Sequence, residues 1–203
     1  MKIAIISILL IIVISTHSRA QYFDAGFVCG LAATQVDGDG NAGYDKAGPI
    51  AGIWVGRRLN HVLYTRMELR YIQKGSYAKT TQDDGATIGF YRMRLNYLEM
   101  PVVFGYRLNN GFNALLGLSA GYLGKALEMN EFGSFPAEDI QKFHKFEFAW
   151  RFGIEYNQSE HWAFNVMYSY SMFPIRPHKG NITYRWDRGQ YNNVIELVAR
   201  YKL

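Results

Sequence analysis

The chain has a single cysteine, Cys29, and only five prolines in 203 residues. One thiol excludes an intramolecular disulfide, so nothing covalent staples this fold. Past the N-terminal stretch there is no run of about twenty apolar residues, which excludes a helical membrane anchor in the rest of the chain. Charge of one sign is also scarce, with 22 Lys and Arg against 17 Asp and Glu. The basic residues form no block, so nucleic-acid binding is not expected. The histidines His17, His61, His144, His161 and His178 are scattered. They make neither a metal-ligand spacing nor a nucleophile, base and orienter set, so no catalytic residue, metal or cofactor is expected.

The N-terminus has the composition of an export signal. Lys2 precedes the apolar run from Ile3 to Ile14, and Ser18-Arg19-Ala20 offers a small-residue cleavage site before Gln21. This predicts a signal peptide over 1–20 and a mature domain over 21–203. Cys29 is not the first residue after that cut, so a lipidated N-terminus is excluded. Losing Lys2 and Arg19 leaves 20 basic against 17 acidic residues, a net charge of +3.

What the chain has in quantity is aromatic residues and alternation. In KFEFAWRFGIEY, residues 145–156, Phe146, Phe148, Trp150, Phe152, Ile154 and Tyr156 alternate with charged or small residues. Successive side chains on a strand point to opposite faces, so this is a ribbon with one bulky apolar face. The same period marks eight strand candidates, at 22–32, 49–58, 62–73, 89–106, 112–123, 145–156, 161–172 and 192–203. Short polar links near 58–61, 107–111 and 157–160 alternate with long links at 33–48, 74–88, 124–144 and 173–191. An even strand number, with short turns at the end carrying both termini and long loops at the other, is the pattern of an outer-membrane barrel.

Alternation alone leaves the orientation of the faces open. A soluble sandwich would bury the aromatics, whereas a membrane barrel turns them to lipid. Small residues on the polar face (Gly26, Gly117, Ser119, Gly121, Ser169) suit the inner wall of an eight-stranded barrel, which is only wide enough for side chains to fill. Turning 145–156 over would place Arg151 near mid-bilayer at a cost of about 2–4 kcal/mol. The expected fold is thus all-β, an eight-stranded antiparallel up-and-down transmembrane β-barrel. Its expected lipid face includes Phe146, Phe148, Trp150, Phe152, Trp162, Phe164 and Tyr201. Its expected lumen charge network is Arg66, Glu68, Arg70, Arg92, Arg94, Glu99, Glu147, Arg151, Glu155, Glu196 and Arg200. Placing Arg92 and Arg94 inside turns Tyr91, Met93, Leu95 and Tyr97 to lipid. Glu99 then needs a one-residue bulge between Tyr97 and Pro101 to return to the lumen.

The stretch LNYLEMPVVFGY at 95–106 carries the most specific resemblance, joined by GYDKAG at 43–48, ELRYIQKGS at 68–76 and LGLSAGYL at 116–123. Together they resemble the PorT-type outer-membrane β-barrel family over nearly the whole mature chain. The resemblance implies an outer-membrane barrel of about this size in a Gram-negative bacterium, and the founding member's association with type IX secretion.

Three further readings concern the loops and the lumen. DGDGNAGYD at 37–45 has Asp37, Asp39 and Asn41 at alternate positions, but the places where an EF-hand needs Gly and an acid hold Ala42 and Gly48, so a polar turn is expected. The last loop joins Arg176, Arg185 and Arg188 to Trp186, residue types that anchor interfaces and pair with lipopolysaccharide phosphates. Partners are therefore the bilayer, lipopolysaccharide and an envelope complex. The functional expectation is a non-enzymatic membrane scaffold or complex partner with periplasmic termini. A narrow pore is the alternative if the inner charges line water instead of pairing.

Overall fold

The computed structural model describes residues 23–41, 43–81, 87–135, 142–178 and 189–203. The expected export signal and Arg185, Trp186 and Arg188 lie outside the described residues. Among the described residues, ten strands occur in chain order: β1 Asp24–Asp37, β2 Lys46–Arg58, β3 Leu63–Lys74, β4 Tyr77–Thr81, β5 Thr87–Arg107, β6 Phe112–Asn130, β7 Gly133–Ser134, β8 Phe146–Asn157, β9 Trp162–Ser171 and β10 Tyr191–Lys202. Eight of them close a ring in the order β1, β2, β3, β5, β6, β8, β9, β10, with β10 paired back to β1. Every pairing in the ring is antiparallel. Closure leaves no unpaired strand edge at membrane depth.

Turn chemistry explains the tight connections. Asn110 and Gly111, at φ 60° and 82°, both take the left-handed conformation that a two-residue hairpin between β5 and β6 requires. Phe112 N–H closes that turn on the Asn109 carbonyl at 3.4 Å.

The outer wall is apolar and bulky. Phe146 (65% exposed), Phe148, Trp150, Phe152, Trp162 and Phe164 project outward, with Tyr201 half-buried among them. Aromatic pairs cluster toward the turn end, with Phe112 against Tyr156 at 4.9 Å and Trp162 against Tyr201 at 5.0 Å. Toward the loop end, Tyr122 meets Phe146 at 5.5 Å. A continuous apolar girdle of this kind far exceeds what a soluble monomer exposes, and its aromatic rims match the two membrane interfaces.

At the loop end β6 runs seven residues past its expected end at 123, whereas β5 nearly keeps its expected span of 89–106. β5 has 21 residues and β6 has 19, whereas about 9–11 residues span a bilayer. The pair therefore stands proud of the membrane, flanked by β4 on β5 and β7 on β6. The sequence pattern concealed the β6 half of this overhang because β6 carries a bulge. Asn96 pairs with Lys125 and Tyr97 with Leu123, so Gly124 is the extra residue. Before it, odd-numbered residues of β6 face inward; after it, Ala126 and Glu128 do, which interrupts the alternation.

The bulge corrects a second expectation. No register shift occurs between Tyr97 and Pro101. Met93, Leu95, Tyr97 and Glu99 all face the lumen in one unbroken phase, the first three at no more than 1% exposure. Arg92 and Arg94 consequently point outward and are not part of the lumen network. Near the loop end the interior is apolar and the surroundings are aqueous, the reverse of mid-membrane, so greasy residues turn inward and cations outward. Pro101, which has no N–H, instead interrupts the β3–β5 ladder opposite Glu68 and Leu69, while pairing with Ser119 persists on its other side.

Candidate functional site

The lumen is organised in layers that several strands build together. Inward positions of β3, β5, β8 and β10 carry the charges, while β1 and β2 contribute Val28, Ala32, Ile50 and Trp54. At the turn end, buried Glu155 accepts hydrogen bonds from Arg66 Nη1 at 2.7 Å, Arg200 Nη2 at 3.0 Å and the Tyr64 hydroxyl at 2.8 Å. The Arg200 guanidinium also lies over the Trp54 ring at 4.5 Å.

One layer up, Glu68 accepts from Arg66 Nε at 2.9 Å and from Arg70 Nη1 at 3.4 Å. Glu99 is the hub. It takes Arg70 Nη2 at 2.6 Å, Lys74 Nζ at 2.9 Å and Arg151 Nη1 at 3.2 Å. Glu196 binds Arg70 at 2.9 Å and Arg151 at 2.5 Å. Glu147 accepts from Lys74 at 3.1 Å, Ser171 at 2.8 Å and Asn192 at 2.9 Å. The network thus comprises five cations, Arg66, Arg70, Lys74, Arg151 and Arg200, and five carboxylates, Glu68, Glu99, Glu147, Glu155 and Glu196. Their charges cancel, and burial makes that cancellation necessary, since an unpaired ion in this interior would keep most of its desolvation penalty.

Lys74 is the member that sequence reading missed, because the expected strand stopped at residue 73. Its parity with Arg66, Glu68, Arg70 and Ile72 was the signal that extends the strand by one step. Among the described residues the interior is incompletely satisfied at four atoms, Arg151 Nε, Asn165 Oδ1, Ser169 Oγ and Asn192 Oδ1, which are buried without a protein partner.

Above the charged layers an apolar stopper crosses the barrel. Val36, Ile72, Met93, Leu95, Val194 and Ile175 are at most 1% exposed and pack as one cluster. On its far side Arg176, expected as an exposed interaction residue, is itself buried. It donates to Glu128 at 2.6 and 3.0 Å and to Gln190 at 2.6 Å, beneath the Phe143 ring. This corrects the expectation for Arg176: its guanidinium closes the loop end instead of presenting itself to a partner. Asp39, in the first long loop, bonds to the Ser76 hydroxyl there, and burial raises its carboxyl above the ordinary range. Among the other loop aromatics, Tyr44 donates to Asn193 at 2.6 Å and Tyr191 stacks on Tyr170 at 5.9 Å, whereas Phe132 stands 90% exposed.

The turn end is different in character. A cavity of about 250 Å³ opens there over the Glu155 cluster, rimmed by Arg57, Arg58, Arg107 and Lys202. Among the described residues no group of His, Cys, Asp and Glu is arranged to hold a metal ion, and no helix is long and apolar enough to cross a membrane.

Comparison with known proteins agrees with this geometry. The family model described as outer membrane protein beta-barrel domain matches residues 6–200. No curated protein matches the chain. Among solved structures, Neisserial surface protein A aligns over 89% of this chain and 97% of its own, at 12% identity and a TM-score of 0.51, a likeness of fold. Ail, the attachment invasion locus protein of Yersinia pestis, in complex with the heparin analogue sucrose octasulfate, aligns over 89% of this chain and 99% of its own, at 16% identity and a TM-score of 0.49.

Proposed function

The chain belongs to the outer membrane protein beta-barrel domain family, and from that premise we propose a non-conducting, non-enzymatic barrel that serves the envelope as a membrane-fixed scaffold or complex partner. The observation that carries this reading is the sealed lumen. Five charges of each sign pair off inside the wall, and an apolar stopper lies above them. A pore needs a continuous polar path, and a hydrophobic constriction of this kind excludes water. What the molecule offers to others is its outside: the overhanging β5–β6 pair, the long loops and the turn-end rim. In this reading residues 1–20 are an export signal, and 21–203 form the mature domain. The short turns at the end with both termini support a periplasmic position for that end.

The outward cations of the overhang give the partner reading its chemistry. The outer face of β5 changes abruptly from Met100 and Leu98 to Asn96, Arg94 and Arg92. Arg92 lies over the Tyr77 ring at 4.8 Å, Lys79 over the same ring at 5.8 Å, and exposed Lys125 pairs with Asn96. Cations on aromatic supports just above the apolar belt are at headgroup height, where lipopolysaccharide phosphates are complementary. The narrower PorT-type reading, with a part in type IX secretion, rests on residues 43–48, 68–76, 95–106 and 116–123, and normal cargo at the surface of a deletion strain would reject it.

Conductance of the purified protein in planar bilayers tests the main reading. Sustained zero conductance is expected; reproducible single-channel steps would overturn it. A pull-down from native outer membranes then distinguishes complex partner from lone scaffold.

A further inference from the structure

The lumen is electrically balanced, but its turn-end mouth is not. Lining the 250 Å³ cavity are six basic residues, Arg57, Arg58, Arg66, Arg107, Arg200 and Lys202, against three acids, Asp24, Glu155 and Glu160. Two of those acids are committed: Glu155 to Arg66 and Arg200 on the floor, and Asp24 to Lys202 at 2.6 Å. The exposed side chains of Arg58 and Arg107 form no ion pair among the described residues. The surplus positive charge therefore sits at the rim of a cavity whose floor is already rigid.

We propose that this vestibule binds a small polyanion, a molecule with two or more phosphate or carboxylate charges and the bulk of a sugar phosphate. Size supports this class, because an enclosed cavity of about 150 Å³ already accommodates benzene, and the vestibule at about 250 Å³ takes a ring with charged substituents. Recognition chemistry supports it as well. Guanidinium groups present forked donors that match carboxylate and phosphate oxygens in pairs. Arg66 is held in place by Glu68 and Glu155, and Arg200 by Glu155 and by stacking on Trp54, so the floor loses little side-chain freedom on binding. A concave mouth with low-dielectric walls focuses the field of its cations on an approaching anion. The sealed lumen above makes the vestibule a blind pocket, so the anion is bound and not passed through. The inference goes beyond the scaffold reading and uses it only for the compartment, the periplasm, that supplies the ligand.

The indole of Trp54 reports on the site, since its Nε1–H donates to the Tyr201 carbonyl at 3.0 Å directly beneath Arg200. With ¹⁵N-tryptophan protein in micelles at constant ionic strength, and Trp54→Phe used to assign the resonance, titrations with glucose 6-phosphate, pyrophosphate and succinate are compared with neutral glucose. The expected result is a saturable shift of Trp54, with lipid-facing Trp150 and Trp162 unmoved. Binding should weaken at least tenfold in the exposed-rim variant Arg58→Gln/Arg107→Gln and strengthen several-fold in Glu160→Gln. No saturable shift with any of the three anions at millimolar concentration overturns the proposal. So does an equal shift with glucose, or unchanged affinity in the rim variant. Whichever of the three anions saturates tells phosphate from carboxylate sources, and a failed titration leaves the zero-conductance test of the scaffold reading untouched.

Discussion

Replacing Glu99 by glutamine would keep the side chain's shape and remove one charge from the centre of the barrel. Three cations lose their shared partner, Arg70 at 2.6 Å, Lys74 at 2.9 Å and Arg151 at 3.2 Å. The lumen would then hold five cations against four carboxylates, with the new amide N–H₂ turned toward positive groups. Removing one partner of a buried ion pair costs about 3–5 kcal/mol, because the remaining charge keeps its desolvation penalty. At about 1.4 kcal/mol per decade, that lowers the folded-to-unfolded ratio by a hundredfold or more. Urea titration of the protein in lipid vesicles, read as the compact fraction on unboiled gels, measures the loss. Adding Lys74→Met restores neutrality at four against four, and Glu147, which Lys74 also contacts, retains Ser171 and Asn192. The double variant should therefore cost less than the two single losses combined, with a coupling of about 0.5–3 kcal/mol. A Glu99→Gln loss below about 0.5 kcal/mol, with additive behaviour in the double variant, would refute the reasoning. It would mean that water, not protein, solvates these charges.

Two further outcomes follow from the outer wall and the first loop. Phe152→Arg, on the lipid face, should cost about 2–4 kcal/mol if it lies near the bilayer midplane, measured as folding yield into vesicles; an unchanged yield would place this face away from lipid. Asp39 has its carboxyl raised by burial, so its contribution to docking the first loop on Ser76 is full below the ordinary carboxylate range, about pH 4, and declines as pH rises through the raised value. Hydrogen exchange at residues 38–41 should thus show more protection at low pH, and Asp39→Asn should remove the dependence; a flat profile in the unmodified protein would contradict it.

Much of the barrel was legible because alternation is a local property. Phe146 to Tyr156 reads as a two-faced ribbon from residue types alone, and the polar stretch near 107–111 reads as a short link. Where reading failed, the cause was non-local. The expectation that Arg92 and Arg94 face inward assumed that greasy residues face lipid along the whole of β5, but beyond the membrane the greasy side is the stopper. The bulge was sought near Pro101, the residue that looks irregular, yet it sits at Gly124 on the facing strand, where parity flips without a proline to mark it. Arg176 read as an exposed loop cation because its partner, Glu128, lies 48 positions earlier on a stretch of β6 that the interrupted alternation hid.

By itself the sequence determined the eight ring strands in outline, the alternation of short and long connections, and the separation of bulky from charged residues on strands such as 145–156, since each depends only on residue order and the two-residue period of a strand. Tertiary structure decided which charges meet and whether they cancel. Arg70 reaches Glu196 across 126 positions of chain, and no local rule specifies that pairing, because it follows from closing the ring and from the register of every strand between. The same closure separates a neutral, sealed lumen from a cationic mouth, a distinction that net charge along the chain does not contain.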